Sequence, residues 1–191
     1  GRSGFLGVSV RKLKKEKTNI LPNFTKRSRA YLEIQNGCNH SCTFCIIPQG
    51  RGLSKSVPMD TILEKIRTLV NKGFKEIVLT GVDITCWGSD IAGNDKLGDL
   101  VNNILNETPD LPRLRLSSLD VSEMDDNLLH VFKTNKRMMP HLHLSLQSGN
   151  NLILKRMKRR HSREQAIDLC RNLKAARPEL SLIHISEPTR L

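Results

Sequence analysis

Aromatic side chains are scarce. One Trp, one Tyr and five Phe occur among 191 residues, and none are grouped into the platform on which RNA-binding modules stack bases. No run of eighteen apolar residues exists, so a membrane-spanning helix is excluded. Acids are in deficit, 19 against 31 lysines and arginines. Cysteines are odd in number and unevenly spread: three of the five fall within residues 38–45, while Cys86 and Cys170 stand alone. That is a poor disulfide framework and a better cytosolic metal or cofactor site. The opening Gly1-Arg2-Ser3-Gly4 has neither an initiator Met nor a signal-peptide pattern. The chain is therefore expected to be cytoplasmic and to begin inside a longer protein.

Hydrophobic residues make up 38% and charged residues 26%, enough for one sizeable core or for part of a larger α/β domain. The net charge of +12 suggests a polyanionic partner, and the excess is clustered. Residues 1–29 hold nine basic residues and one acid, Glu16, whereas residues 155–163 hold six basic residues and no acid. The first stretch reads as a basic linker. The second is either a phosphate-contacting patch or a solvated helix face, with Lys155, Arg156, Lys158, Arg159 and Arg160 as candidate nucleic-acid contacts. Residues 180–191 resemble the conceptual translation of a transposase-type sequencing adapter, whose opening CTG TCT CTT ATA CAC ATC reads LSLIHI. A genuine strand over the apolar residues 180–185 is the alternative. The expected organisation is linker 1–29, core 30–179 and a foreign tail 180–191.

Residues 30–35 alternate apolar and polar, as a strand does, and run directly into Asn36-Gly37 and the cysteines. Pro58 precedes a helix over residues 59–72 with Ile62, Ile66, Leu69 and Val70 in a stripe, and Gly73 stands at its C-terminus. Strand and helix then recur: strands over 76–80, 113–117 and 143–146, helices over 97–105, 127–132, 151–156 and 162–176. Four such units predict βαβ connections and a parallel sheet, either open and doubly wound or part of a barrel. In both architectures ligands sit beyond the C-terminal strand ends. The suggestive motifs all follow strands: the cysteines, Gly81-Val82-Asp83, Ser117-Ser118 and Gln147-Ser148-Gly149. One shared site is the expectation.

Cys38-x-x-x-Cys42-x-x-Cys45 places three thiolates on one short loop, which suits three irons of a cubane cluster and leaves the fourth iron open to an exogenous ligand. Zinc is the rival, because His40 completes a Cys₃His set with Cys38, Cys42 and Cys45. Against zinc, His40 is only two residues from Cys38 and from Cys42, and no second cysteine pair supplies a second knuckle.

The stretch from Ile34 through Cys45 to Pro48, continuing to Arg51-Gly52 and Ser56-Val57-Pro58, resembles the radical S-adenosylmethionine (SAM) methylthiotransferases. Residues 78–84 (VLTGVDI) resemble the branch acting on threonylcarbamoyl-adenosine in tRNA, and residues 140–149 (PHLHLSLQSG), followed by Leu154-Lys155-Arg156-Met157, match a further family block. The resemblance covers about residues 26–179. It implies a partial (β/α)₆-type TIM-like barrel with about four βα units present. It also implies that Cys38, Cys42 and Cys45 ligate a [4Fe–4S] cluster whose open iron takes the amino and carboxylate groups of SAM. One electron from a donor protein then cleaves SAM to a 5′-deoxyadenosyl radical, which abstracts hydrogen from the tRNA base.

Phe44 matches the position lying against the SAM adenine, Gly81 and Asp83 the segment contacting its amino group, and Gln147 and Ser148 the donors to ribose or reacting base. Their plainer alternatives are loop packing for Phe44, an αL turn with an Asx cap at 81–83, and a helix cap at 147–148. His143 is either a residue facing the barrel interior or, as is commoner, a satisfied core histidine, and Cys86 and Cys170 are read as bystanders. The family also carries an upstream domain with a second [4Fe–4S] cluster and a C-terminal RNA-binding domain. Neither is found within residues 1–191, so this chain alone is expected not to complete methylthiolation. Competing functions are a sister methylthiotransferase acting on isopentenyl-adenosine or a ribosomal protein, and a zinc-dependent RNA-binding module.

Overall fold

The computed structural model describes residues 28–186. The expected linker lies outside the described residues apart from Ser28 and Arg29, as do positions 187–191 of the tail.

Strand β1 (Arg29–Asn36) alternates exposed and buried positions, with Ala30, Leu32 and Ile34 on the buried side. Leu114 and Leu116 of β4 (Arg113–Leu116) and Leu142 and Leu144 of β6 (His141–Gln147) repeat the pattern, while the central β3 (Glu76–Gly81) is buried on both faces from Glu76 to Leu79, with Ile77 and Leu79 on the same side as those residues. One face of the wall is therefore apolar. Helices α2 (Met59–Asn71), α3 (Leu97–Glu107), α4 (Asp126–Thr134) and α6 (Arg163–Ala176) cover it. Ile62, Ile66, Ile104, Leu128, Phe132 and Leu173 join the strand side chains in one core. Each fully buried Leu or Ile contributes about 1.5–3 kcal/mol, so these stripes, more than helix propensity, hold the crossovers in place.

β1 pairs parallel with β3, and β3 with β4. β5 (Ser118–Leu119) pairs parallel with β6, and β6 with β7 (Ser181–Ser186). Only Ser117 separates β4 from β5, and its N–H reaches Leu79 O at 3.0 Å. The chain changes sheets at that residue, and the orders β2-β1-β3-β4, with β2 spanning Lys55–Ser56, and β5-β6-β7 follow one another along a half-barrel wall. Parallel strands are added in chain order, without the reversal of a doubly wound sheet; the partial TIM-like α/β alternative is the one realised. The short β2 (Lys55–Ser56) turns back antiparallel on the β1 edge.

Small elements without a periodic signature escape sequence reasoning: α1 (Ile47–Arg51), β2 and β5 are two to five residues long. Helix α5 (Asn151–Arg156) is capped by Asn150, whose Oδ1 accepts the Leu152 N–H at 2.8 Å and the Ile153 N–H at 3.3 Å. The cap that Gln147 or Ser148 could have supplied thus belongs to Asn150.

Candidate active site

The cysteine loop is anchored at both ends. Gly37 has a φ of 75°, and a Cβ there would lie 2.1 Å from Leu53 O, so only glycine lets the loop start this close to the returning chain. Cys38 N–H donates to Gly52 O at 3.1 Å, and Cys45 N–H to Cys42 O at 3.1 Å. Thr43 N–H reaches Met157 O at 3.3 Å, just beyond α5. Beneath the loop lies Gln35, fully buried. Its Nε2 donates to Gly37 O (2.7 Å) and Ser54 Oγ (2.9 Å), while its Oε1 accepts the Asp83 N–H at 2.8 Å. One amide therefore sets the cysteine loop against the Gly81-Val82-Asp83 segment. Gly81 has to be glycine too, since a Cβ would lie 2.6 Å from Gln35 O.

Cys38, Cys42 and Cys45 line a single cavity together with Phe44, Asp83, Ser118, Asp120, Ser145, Gln147 and Arg159. All but Arg159, which comes from the turn between Asn151–Arg156 and α6, belong to the C-terminal ends of β1, β3, β5 and β6 or to the loops that follow them. All three cysteines are free thiols. Three thiols around one cavity fit a cubane that keeps one iron open. His40, the fourth member of the zinc set, lines the same cavity, but its Nε2 is turned to other partners: 2.9 Å from Asp83 Oδ2, 3.2 Å from Glu123 Oε1 and 3.4 Å from Cys86 Sγ. Burial pushes the Cys38 thiol up to about 11, with the Asp83 carboxylate adding to the rise and the His40 N–H opposing it. That thiol keeps its proton until a metal displaces it.

The expected cofactor residues separate into two groups. Phe44, Asp83 and Gln147 line the cavity, and Gly81 supports it from below. Gln147 has a φ of 65°, and the β6–β7 register shifts between Ser145 and Gln147. Such a bulge re-aims a strand-end side chain, and left-handed backbone at a non-glycine residue is held only by its surroundings. Ser148 points elsewhere, into a groove with Leu146, Ala166, Ile167 and Cys170. His143 alternates with the buried Leu142 and Leu144, as expected for the opposite face.

The basic run also divides. Lys155, Arg156 and Lys158 are exposed. Arg159 is a correction to the surface reading: its side chain is 9% exposed and ion-paired with Asp120 at 2.6 Å. Arg160 is likewise engaged, by Glu123 and by Asp120.

Three residues of the site were not singled out from sequence: Gln35, Asp120 and Glu123. The strand-end rule that flagged Ser117-Ser118 extends naturally to Asp120, just past β5; Gln35 and Glu123 carry no such signal. His40, Asp83, Cys86 and Glu123 each bring one potential ligand atom within 4.8 Å of the others. Glu123 in that group already has the Arg160 guanidinium as its cation.

The family model described as the Radical SAM superfamily matches residues 32–185. The threonylcarbamoyladenosine tRNA methylthiotransferase MtaB of Rickettsia prowazekii (strain Madrid E) is 47% identical over 172 residues, covering 90% of this chain and 41% of that protein. The tRNA-2-methylthio-N(6)-dimethylallyladenosine synthase of Shouchella clausii (strain KSM-K16) is 37% identical over 155 residues, covering 81% and 29%. The chain thus spans less than half the length of these curated relatives. Among solved structures, the radical SAM methyltransferase TsrM from Kitasatospora setae superposes with a TM-score of 0.66 at 15% identity, over 85% of this chain and 31% of that one. That likeness is one of fold. With a matching wall of strands, three free thiols at its C-terminal rim and the family match across both, the chain belongs to the radical SAM superfamily.

Proposed function

We propose that this chain carries the SAM-cleaving core of a tRNA methylthiotransferase acting on threonylcarbamoyl-adenosine beside the anticodon. The observation that carries the reading is the convergence of Cys38, Cys42 and Cys45 on one cavity shared with Asp83 and Gln147. The 47% identity to the Rickettsia MtaB favours this substrate over dimethylallyladenosine, whose synthase is 37% identical. A [4Fe–4S] cluster held by the three cysteines would supply the electron that opens the SAM sulfonium. The chain's own groups bind and orient. Asp83 offers a carboxylate to an ammonium, Phe44 a flat apolar face, and Gln147 an amide for a ribose hydroxyl or base edge. Lys155, Arg156 and Lys158 offer charge to tRNA phosphates. An electron-donor protein, a cytoplasmic location and a second cluster confined to a further domain of the relatives belong to the same proposal.

Anaerobic reconstitution of the 191-residue chain tests the cofactor reading. About four irons per chain and release of 5′-deoxyadenosine from SAM under dithionite are expected, both lost in Cys42→Ser. Tight stoichiometric zinc in place of iron would overturn it. For the substrate, mass spectrometry of tRNA from a strain lacking the full gene should show loss of the methylthio-threonylcarbamoyl nucleoside; loss of the methylthio-isopentenyl nucleoside instead assigns the sister activity. The foreign origin of residues 180–191 is part of the proposal. Genomic DNA that reads through into the same twelve residues would refute it.

A further inference from the structure

Arg159 stands in a basic run, yet its guanidinium is folded into the molecule. Lys158 takes a left-handed φ of 57°, and the turn carries Arg159 inward while Lys158 stays exposed. The Arg159 side chain is 9% exposed, and its Nε is buried without a hydrogen-bond partner. Burying a charged group is costly unless something nearby uses the charge. Nη2 donates to Asp120 Oδ2 at 2.6 Å and to Ser145 O at 3.0 Å. Asp120 stays ionised: burial alone would raise its carboxyl, but His161, with Nδ1 3.7 Å from Oδ1, the Arg159 guanidinium and the Ser122 donors together hold it well below the usual carboxylate range. Asp120 Oδ2 is also within 3.4 Å of Arg160 Nη2, so one carboxylate faces two guanidinium groups. The remaining fork of Arg159 points at the cysteine loop, with Nη1 3.7 Å from Cys42 Sγ. Main-chain bonding fixes that approach from the loop side, through Thr43 N–H to Met157 O.

We propose that Arg159 tunes the reduction potential of the cluster held by Cys38, Cys42 and Cys45, by donating from Nη1 to Cys42 Sγ and setting a buried positive charge beside the thiolates. The inference rests on the cluster reading above. Reduction adds one electron, from an external donor such as dithionite, to a centre already ringed by three thiolates; no bond or proton is exchanged. A cation and an N–H···S donor beside a ligand sulfur stabilise the added negative charge. Asp120 acts through Arg159, holding its fork in place while offsetting part of its charge.

Mediated redox titration followed by electron paramagnetic resonance, on the reconstituted 191-residue chain without SAM, compares wild type with Arg159→Gln, Arg159→Lys and Asp120→Asn. In Arg159→Gln the ratio of reduced to oxidised cluster at the wild-type midpoint falls about tenfold, a displacement of about 59 mV to more negative potential for a one-electron couple. Arg159→Lys, which keeps the charge and loses the fork, shifts less in the same direction. Asp120→Asn shifts the opposite way, which general damage to the fold does not produce. Equal midpoints in wild type and Arg159→Gln at equal iron content overturn the inference and leave the cluster reading intact. An unchanged midpoint with weakened SAM binding assigns Arg159 to the SAM carboxylate and also overturns it. If Arg159→Gln holds no iron, Arg159→Lys and Asp120→Asn decide: opposite shifts support the inference, midpoints equal to wild type overturn it. A wild type that takes up no cluster overturns both readings.

Discussion

Gly37 and Glu76 show how single side chains, present or absent, govern the two ends of the half-barrel. At Gly37 the missing Cβ lets the cysteine loop begin against Leu53 O, in a left-handed conformation. Gly37→Ala pushes the loop away from its tether at Gly52, and iron bound after anaerobic reconstitution should fall to less than about half of wild type, with a stability loss of about 1–3 kcal/mol. Glu76 sits at the other end of the strands, its side chain 7% exposed, within 2.8 Å of Arg29 and Arg115 and 3.3 Å of Arg113. Burial would raise its carboxyl, but Arg115 and Arg29 bring it below the ordinary carboxylate value. A carboxyl depressed in the folded state contributes stability in full above its unfolded value of about 4.3, and loses it as pH falls further. Urea unfolding should find Glu76→Gln less stable by about 2 kcal/mol at pH 7, discounted for its partly exposed partners. The wild-type midpoint should drop on going from about pH 5 to pH 3 by more than the variant's does.

At the scale of elements, α5 and the turn after it divide one basic run into an exposed part and an ion-paired part. The exposed Lys155, Arg156 and Lys158 should contact tRNA phosphate, whereas Arg159 faces the cysteine cavity. Replacing the three exposed residues with glutamine should weaken tRNA binding and reduce the slope of log affinity against log salt by about 2–3. Arg159→Lys should leave that slope unchanged. Filter binding over a salt series separates the two outcomes. The helices themselves were readable because each turns an apolar stripe to the wall: Ile62, Ile66 and Leu69 on α2 lie where the 3.6-residue period puts them. The β4–β5 break at Ser117 was not readable, because a local pattern carries no record of which neighbouring strand a residue pairs with.

For the whole molecule, the cysteine cavity lies at the rim where the strand-end loops meet, so a ligand there ties together segments distant in sequence. Cluster reconstitution should raise the melting temperature by on the order of 5–10 °C, since a group bound only by the folded state adds its binding free energy to stability. Chelation of the iron should reverse the gain, as differential scanning fluorimetry under argon would record. Cys42→Ser should abolish the gain while melting near the wild-type apoprotein.

The cysteine triad, the alternation of strands and helices, and the strand-end placement of Asp83 and Gln147 were legible from sequence alone. They depend on spacing and periodicity, which are properties of neighbours along the chain. Tertiary structure alone decided that Gln35 joins the loop to Asp83, that His40 turns to Asp83, Glu123 and Cys86, and that Arg159 leaves its charged neighbours for Cys42. The reason is physical. A charge in a basic run looks solvated until the fold removes its water, and only the packed structure shows which partner replaces it.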